Sequence, residues 1–226
     1  DCSISPTGPS ATPAPHSVMD DNTIRTAVTA WFDDRSGAEA TYGHISTWDT
    51  SGVTDMSYLF CGISCGTAAA ATFNEDIGAW DTSGVIYMAH MFSGASAFNQ
   101  DIGDWAVDSV MAMSWMFNEA SAFDQDIGGW AVHSVTFMQM MFWGALSFNQ
   151  DIGSWAVDSV MDMGLMFSSA SAFDQDLGWC VDEGVNFDVG SMGFTFQDAF
   201  SYTRCASTSC GVVRGTLDSN GNCQQQ

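Results

Sequence analysis

One motif returns every 25 residues, and that period restricts this chain to a single kind of architecture. Phe98, Phe123, Phe148 and Phe173 keep the step, as do Trp105, Trp130 and Trp155. One copy reads W-x4-V-x2-M-x2-M-F-x2-A-x2-F-x-Q-D-I-G-x-W. Followed outward, the frame predicts six copies, with Val53, Val85, Val110, Val135, Val160 and Val189 each preceding by three residues Met56, Met88, Met113, Met138, Met163 and Met192. A fixed period of this length predicts a repeat solenoid, in which each coil buries its apolar face against its neighbours.

Within a copy, Val110, Met113, Met116, Phe117 and Ala120 follow spacings of three and four, which suit a short helical segment. Gln100-Asp101-Ile102 has the length of a short strand, and the glycine after it (Gly78, Gly103, Gly128, Gly153, Gly178) permits a bend. Each coil is thus expected to be one short parallel strand plus one helical segment. Two departures from the period stand out. Phe60 to Phe92 spans 32 residues, a 7-residue insertion holding Cys61, Cys65 and Ala68 to Ala71, and Phe167 to Phe196 spans 29, with the extra four placed around Cys180 to Asp188.

The flanks differ in composition. Residues 1–19 hold all four prolines and read as a flexible Pro/Ser/Thr-rich tail. Residues 20–41 read as an N-terminal capping helix, started by Asp21 or Asn22 and amphipathic through Ile24, Val28, Trp31 and Phe32. The coils occupy 42–202, and 203–226 reads as a disulfide-rich C-terminal cap.

Charge excludes some partners. Twenty-seven acids oppose four bases, all arginine (Arg25, Arg35, Arg204, Arg214), and every base lies outside the repeats. Such a body repels phosphate backbones and anionic membrane surfaces, so nucleic acid is not a partner. No apolar run approaches the roughly 18 residues of a membrane span, so membrane insertion is not expected. The cysteines have no zinc-finger spacing and read as disulfide chemistry in an oxidising compartment. Cys61, Cys65, Cys180, Cys205, Cys210 and Cys223 are expected to pair within the chain, with Cys61 to Cys65 the local bridge and the C-terminal cap tied back to Cys180. Cys2 is left for another molecule. A start at Asp1 instead of methionine is read as a removed secretion signal.

The phrase F-N-Q-D-I-G-x-W followed by V-x-x-M-x-x-M-F-x-x-A resembles the BspA-like family of leucine-rich-repeat surface proteins, over about residues 42 to 202. The resemblance implies a leucine-rich-repeat-like right-handed solenoid on a secreted, extracellular or cell-surface protein, often concerned with adhesion. It supplies no catalytic residues.

Two kinds of surface column carry the functional expectations. Asp76, Asp101, Asp126, Asp151 and Asp176 share one repeat position, and stacking would file their carboxylates side by side. Either each accepts a backbone N–H in its own turn, or the file is a calcium edge, and no other cofactor is expected. His44 takes the same position in the first coil. Two other columns vary freely: Asp55, Tyr87, Ala112, Phe137, Asp162, and Tyr58, His90, Trp115, Met140, Leu165. A core position would not exchange Asp for Phe, so these face outward. Tyr58, Tyr87, His90, Trp115, Phe137, Met140 and Trp143 then form an interaction surface. No nucleophile elbow, metal-ligand histidine spacing or phosphate loop is present, so an enzyme is not expected. The expected function is a secreted structural or adhesive module acting through protein contacts, by self-association or with other extracellular subunits. The alternative is a recognition domain for a glycan or protein ligand, calcium-dependent if the Asp file binds metal.

Overall fold

The computed structural model describes residues 18–62, 65, 67–218, 223 and 224. Cys2 and nearly all of the Pro-rich tail therefore lie outside the described residues. From residue 44 to residue 202 the hydrogen bonds repeat with the sequence. In the third coil the N–H groups of Met113, Trp115, Phe117 and Glu119 donate to the carbonyls of Phe137, Gln139, Met141 and Trp143 in the fourth. The intervening N–H groups of Met116, Asn118 and Ala120 turn back to the carbonyls of Met113, Trp115 and Phe117. Alternate residues thus bond forward to the next coil or back within their own, so the donors of this wall are used without a regular strand.

This arrangement replaces the expected helix. The spacing of three and four is real, but it marks successive turns whose backbone alternates in hand. Tyr58, His90, Trp115, Met140 and Leu165 sit at φ of 66, 58, 63, 51 and 52°. An α-helix cannot pass through such a residue, and each left-handed side chain costs roughly 1 kcal/mol. The parallel bridges also run through this wall: Asp55, Tyr87, Ala112, Phe137, Asp162 and Asn186 pair in succession. Gln100-Asp101-Ile102 forms no strand. Neighbouring coils are joined there by side chains: Asn99 Oδ1 accepts the Asp124 N–H at 2.9 Å, Asp124 Oδ1 accepts that of Asn149 at 2.9 Å, and Asn149 Oδ1 that of Asp174 at 2.8 Å. The amides of Gln100, Gln125, Gln150 and Gln175 donate to the preceding coil beside them.

Between the walls lie aromatic columns. Phe60, Phe92, Phe117, Phe142, Phe167 and Phe200 stack with centroids 5.4 to 5.9 Å apart. A second column, Phe73, Phe98, Phe123, Phe148 and Phe173, interleaves with it, and Phe92 lies 4.0 Å from Phe98. Trp130, Trp155 and Trp179 stack beyond them, and the indole N–H of Trp155 donates to Ile127 in the preceding coil. Gly78, Gly103, Gly128 and Gly153 serve a different purpose from the expected bend: a Cβ there would meet the backbone oxygen of the next coil at 2.6, 2.8, 2.6 and 3.0 Å. Only glycine lets the coils approach that closely.

Two helices, not one, precede the first coil: α1 (Asp21–Asp33), capped by Asp20, and α2 (Arg35–Tyr42), capped by Asp34. The first coil has no coil before it, so its N–H and C=O groups need substitutes. Successive turns of α1 provide them. Asp21 Oδ1 accepts the N–H groups of Thr54 and Asp55 at 2.7 and 2.9 Å, and Arg25 donates to the carbonyls of Ser57 and Asp55 at 2.6 and 3.0 Å.

The sixth coil is framed differently from the sequence expectation. The N–H of Asn186 reaches the Met161 carbonyl, as that of Met161 reaches Thr136, so Val185 and not Val189 continues the valine column. Phe167 bonds to Ala199 and stacks on Phe200 at 5.9 Å, so Phe200 and not Phe196 is the sixth phenylalanine. The extra residues therefore fall after Asp188, not before it. Met192, assigned to the core by the frame, is 72 % exposed. At the start of this coil β1 (Cys180–Val181) pairs in parallel with β2 (Val213–Arg214) of the C-terminal cap, where β3 (Thr216–Leu217) pairs antiparallel with β4 (Cys223–Gln224). Disulfides join Cys61 to Cys65, Cys180 to Cys223 and Cys205 to Cys210, with Cα atoms 5.6, 5.5 and 4.8 Å apart. Arg214 closes the second end, donating to the carbonyls of Glu183 and Val185 while its guanidinium lies 5.1 Å from the Phe187 ring.

Candidate interaction face

The alternating backbone hand that shapes the wall also determines what it presents. A left-handed residue in every coil projects its side chain away from the Phe columns, and the residues at that position stack on one another. Tyr58 and His90 are stacked at 4.6 Å and 11°, and His90 and Trp115 at 5.3 Å and 14°. Tyr58 is 53 % exposed, while His90, Trp115 and Met140 are half-buried along the stack. Burial between two rings lowers the His90 pKa below the usual imidazole value. Beside this column runs the bridge column, in which Tyr87 and Phe137 are exposed. The sequence-derived surface residues therefore meet on one face, with Trp143 half-buried at its edge.

Leu165 departs from the expectation that its column faces outward, for it is buried. The cause is the insertion in the sixth coil, which folds over the end of the column. Asp188 Oδ1 fixes the fold-over by accepting the N–H groups of Gly193 and Phe194 at 2.9 and 3.1 Å. A groove of ≈ 620 Å³ remains between column and insertion, lined on one side by Trp115, Met140 and Leu165 and on the other by Val189, Met192 and Tyr202. The last three were not among the sequence candidates. Placing Val189 and Met192 in the repeat frame concealed them. The exact step from Val160 to Val185 is the signal that would have released both for the surface.

Four of the five members of the Asp file serve their own turns, and Asp176 does not share the bond. Asp76, Asp101, Asp126 and Asp151 each accept, through Oδ1, the N–H of the glycine two residues on, at 3.0 to 3.1 Å. Among the described residues no group of three or more His, Cys, Asp or Glu side chains could hold a metal ion. His44, at the head of the file, lies 3.2 Å from Arg35, which also pairs with Glu39 and Glu75. Three carboxylates held below their ordinary pKa belong to turns and caps: Asp20 by Thr23, Asp81 by Ser83 and Asp198 by Thr195.

Among the described residues no helix is long and apolar enough to cross a membrane. No curated protein and no solved structure matches the chain. One protein family does, in three overlapping stretches at residues 26–145, 65–180 and 109–207, which together span the coils and most of the helical cap. This chain therefore belongs to the family described as "Mycoplasma protein of unknown function, DUF285".

Proposed function

We propose that this chain is a capped, leucine-rich-repeat-like solenoid of the BspA-like kind, secreted or held at a cell surface. It acts there as a structural or adhesive module through protein contacts. The observation that carries this reading is the outward column: exposed Tyr58 and half-buried His90 and Trp115 stack outside the core and continue into the apolar groove. A contiguous exposed apolar face of this kind marks an interaction site. Aromatic side chains are also where contact energy concentrates. Three disulfides support an oxidising setting.

A protein partner suits this face better than a glycan. A sugar stacks on the free face of a ring, whereas both faces of His90 and one each of Tyr58 and Trp115 are occupied by one another. What the column offers is ring edges and apolar sides, which pack against other side chains. Caps at both ends supply hydrogen bonds to the outermost coils, so contact is lateral, with another copy or with another subunit of the assembly. Nothing in this reading uses catalysis.

The test is assembly size by sedimentation, comparing the parent with Tyr87→Ser/Phe137→Ser and with Trp115→Ser/Phe137→Ser. Tyr87 and Phe137 are exposed, so their replacement leaves the core intact. Loss of assembly at unchanged melting temperature supports the reading. Full assembly in both variants, with lowered stability in the second, overturns it and returns Trp115 to the core.

A further inference from the structure

We propose that the groove between the Trp115–Leu165 column and the sixth-coil insertion takes a segment of a different protein, one bearing leucine, methionine or aromatic side chains next to lysine or arginine. The proposal rests on the reading of this face as a protein-contact surface and specifies the partner's chemistry.

Shape is the first ground. The groove has two independent walls, and its volume of ≈ 620 Å³ lies within the range of roughly 300 to 1,000 Å³ typical of sites that enclose a ligand. Its lining is mainly apolar, with Ser168, Ser169, Ser201 and Asp198 among it, and the insertion wall presents Met192 and Tyr202, 72 % and 80 % exposed. Methionine adapts to differing apolar side chains, which suits recognition of a segment and not of one rigid molecule.

Charge is the second ground and selects the occupant. Asp198 lines the groove, and no lysine or arginine does. The Thr195 N–H and hydroxyl bond to Asp198 at 2.7 and 2.8 Å and hold its carboxyl below the usual carboxylate range. Glu119 is exposed on the coil wall, where its N–H donates to the Trp143 carbonyl. Behind these stands a chain with 27 acids and 4 bases. An apolar segment with acidic flanks would enter against that field, and one with basic flanks would be drawn in. A second copy is a poor source of such flanks. It has no lysine, Arg25, Arg35 and Arg214 are already engaged with backbone carbonyls, carboxylates or rings, and exposed Arg204 is left as a single cation.

Fluorescence anisotropy of three labelled peptides of equal length, one Lys/Leu, one Glu/Leu and one Lys/Ser, tests the proposal against the full chain. The Lys/Leu peptide is expected to bind, to weaken as salt rises, and to bind about tenfold more weakly to Met192→Ser/Tyr202→Ser. Binding to Met111→Ser, an exposed methionine outside the groove, is expected to match the parent. Equal binding of the Glu/Leu or the Lys/Ser peptide overturns the proposal, as does no binding at all or an unaffected groove variant. The two readings fail separately: contact between copies of this acidic chain is expected to strengthen in high salt, and sedimentation of the parent reports that whatever the peptides do.

Discussion

Replacing Asp21 by alanine exposes the open edge of the first coil without touching the core. The change removes one acceptor from the backbone N–H groups of Thr54 and Asp55, at 2.7 and 2.9 Å, and from the Thr54 hydroxyl at 2.8 Å. The Asp55 donor is part-buried and costs about 1 kcal/mol when left under-satisfied, while the exposed Thr54 donor costs less because water replaces the carboxylate, so the pair predicts a loss of about 1 to 2 kcal/mol. An asparagine keeps one amide oxygen there, and Asp21→Asn should lose about half as much. Urea unfolding followed by tryptophan fluorescence measures both. Acid provides a second readout. Burial pushes the Asp21 pKa up, but the N–H groups of Asp55 and Thr54, the Thr54 hydroxyl and the charge of Arg25 outweigh it, and the net value lies below 3.8. A carboxyl lowered on folding stabilises the fold above its unfolded pKa and loses that contribution as pH falls through its folded value. The stability gap between the parent and Asp21→Asn should therefore close below about pH 4. An Asp21→Ala variant within about 0.3 kcal/mol of the parent, below the usual effect of a lost hydrogen bond, would refute the edge-cap argument.

Other changes follow from the same contacts. Gly128→Ala should destabilise by at least about 1 kcal/mol, because its Cβ would lie 2.6 Å from the Asp151 oxygen, whereas Gly129→Ala, with nothing within 4 Å, should be neutral; thermal melts of both settle it. Sodium chloride should raise the melting temperature of this acidic chain, and calcium chloride at matched ionic strength should raise it equally, since four carboxylates of the Asp file already serve their own turns; a larger calcium shift would restore the calcium edge. Cys223→Ala, which opens the bridge across 43 residues, should cost about 2 to 4 kcal/mol, and Cys65→Ala, across 4, should cost less in the same melts.

The columns were legible because each letter that packs in the core must recur wherever coils stack: Phe, Trp, Met and Val repeat, and the glycine before the next coil repeats with them. The course of the backbone between those letters was not legible. Val110, Met113, Met116, Phe117 and Ala120 carry the spacing of a helix, and nothing in Tyr58, His90, Trp115, Met140 or Leu165 announces a left-handed residue. Those five differ from coil to coil because their side chains leave the core, so the backbone alone imposes the hand. The Asn and Asp ladder at residues 74, 99, 124, 149 and 174 could be read as polar letters, but only the stack shows that their side chains replace the strand. The groove was hidden by a framing choice at Val189. The second helix was missed because Arg35-Ser36-Gly37 reads as a break, although Asp34 caps α2 across it.

The most direct measurement compares two chemical footprints on free and assembled particles. Hydroxyl-radical oxidation reports the accessibility of Tyr58, Tyr87, Trp115, Phe137 and Met192, and carbodiimide labelling reports that of Asp101, Asp126 and Asp151. A contact through the aromatic face predicts that assembly protects the first set and leaves the second as reactive as in the free chain. Protection of the aspartates with unchanged oxidation of the aromatic residues would contradict it.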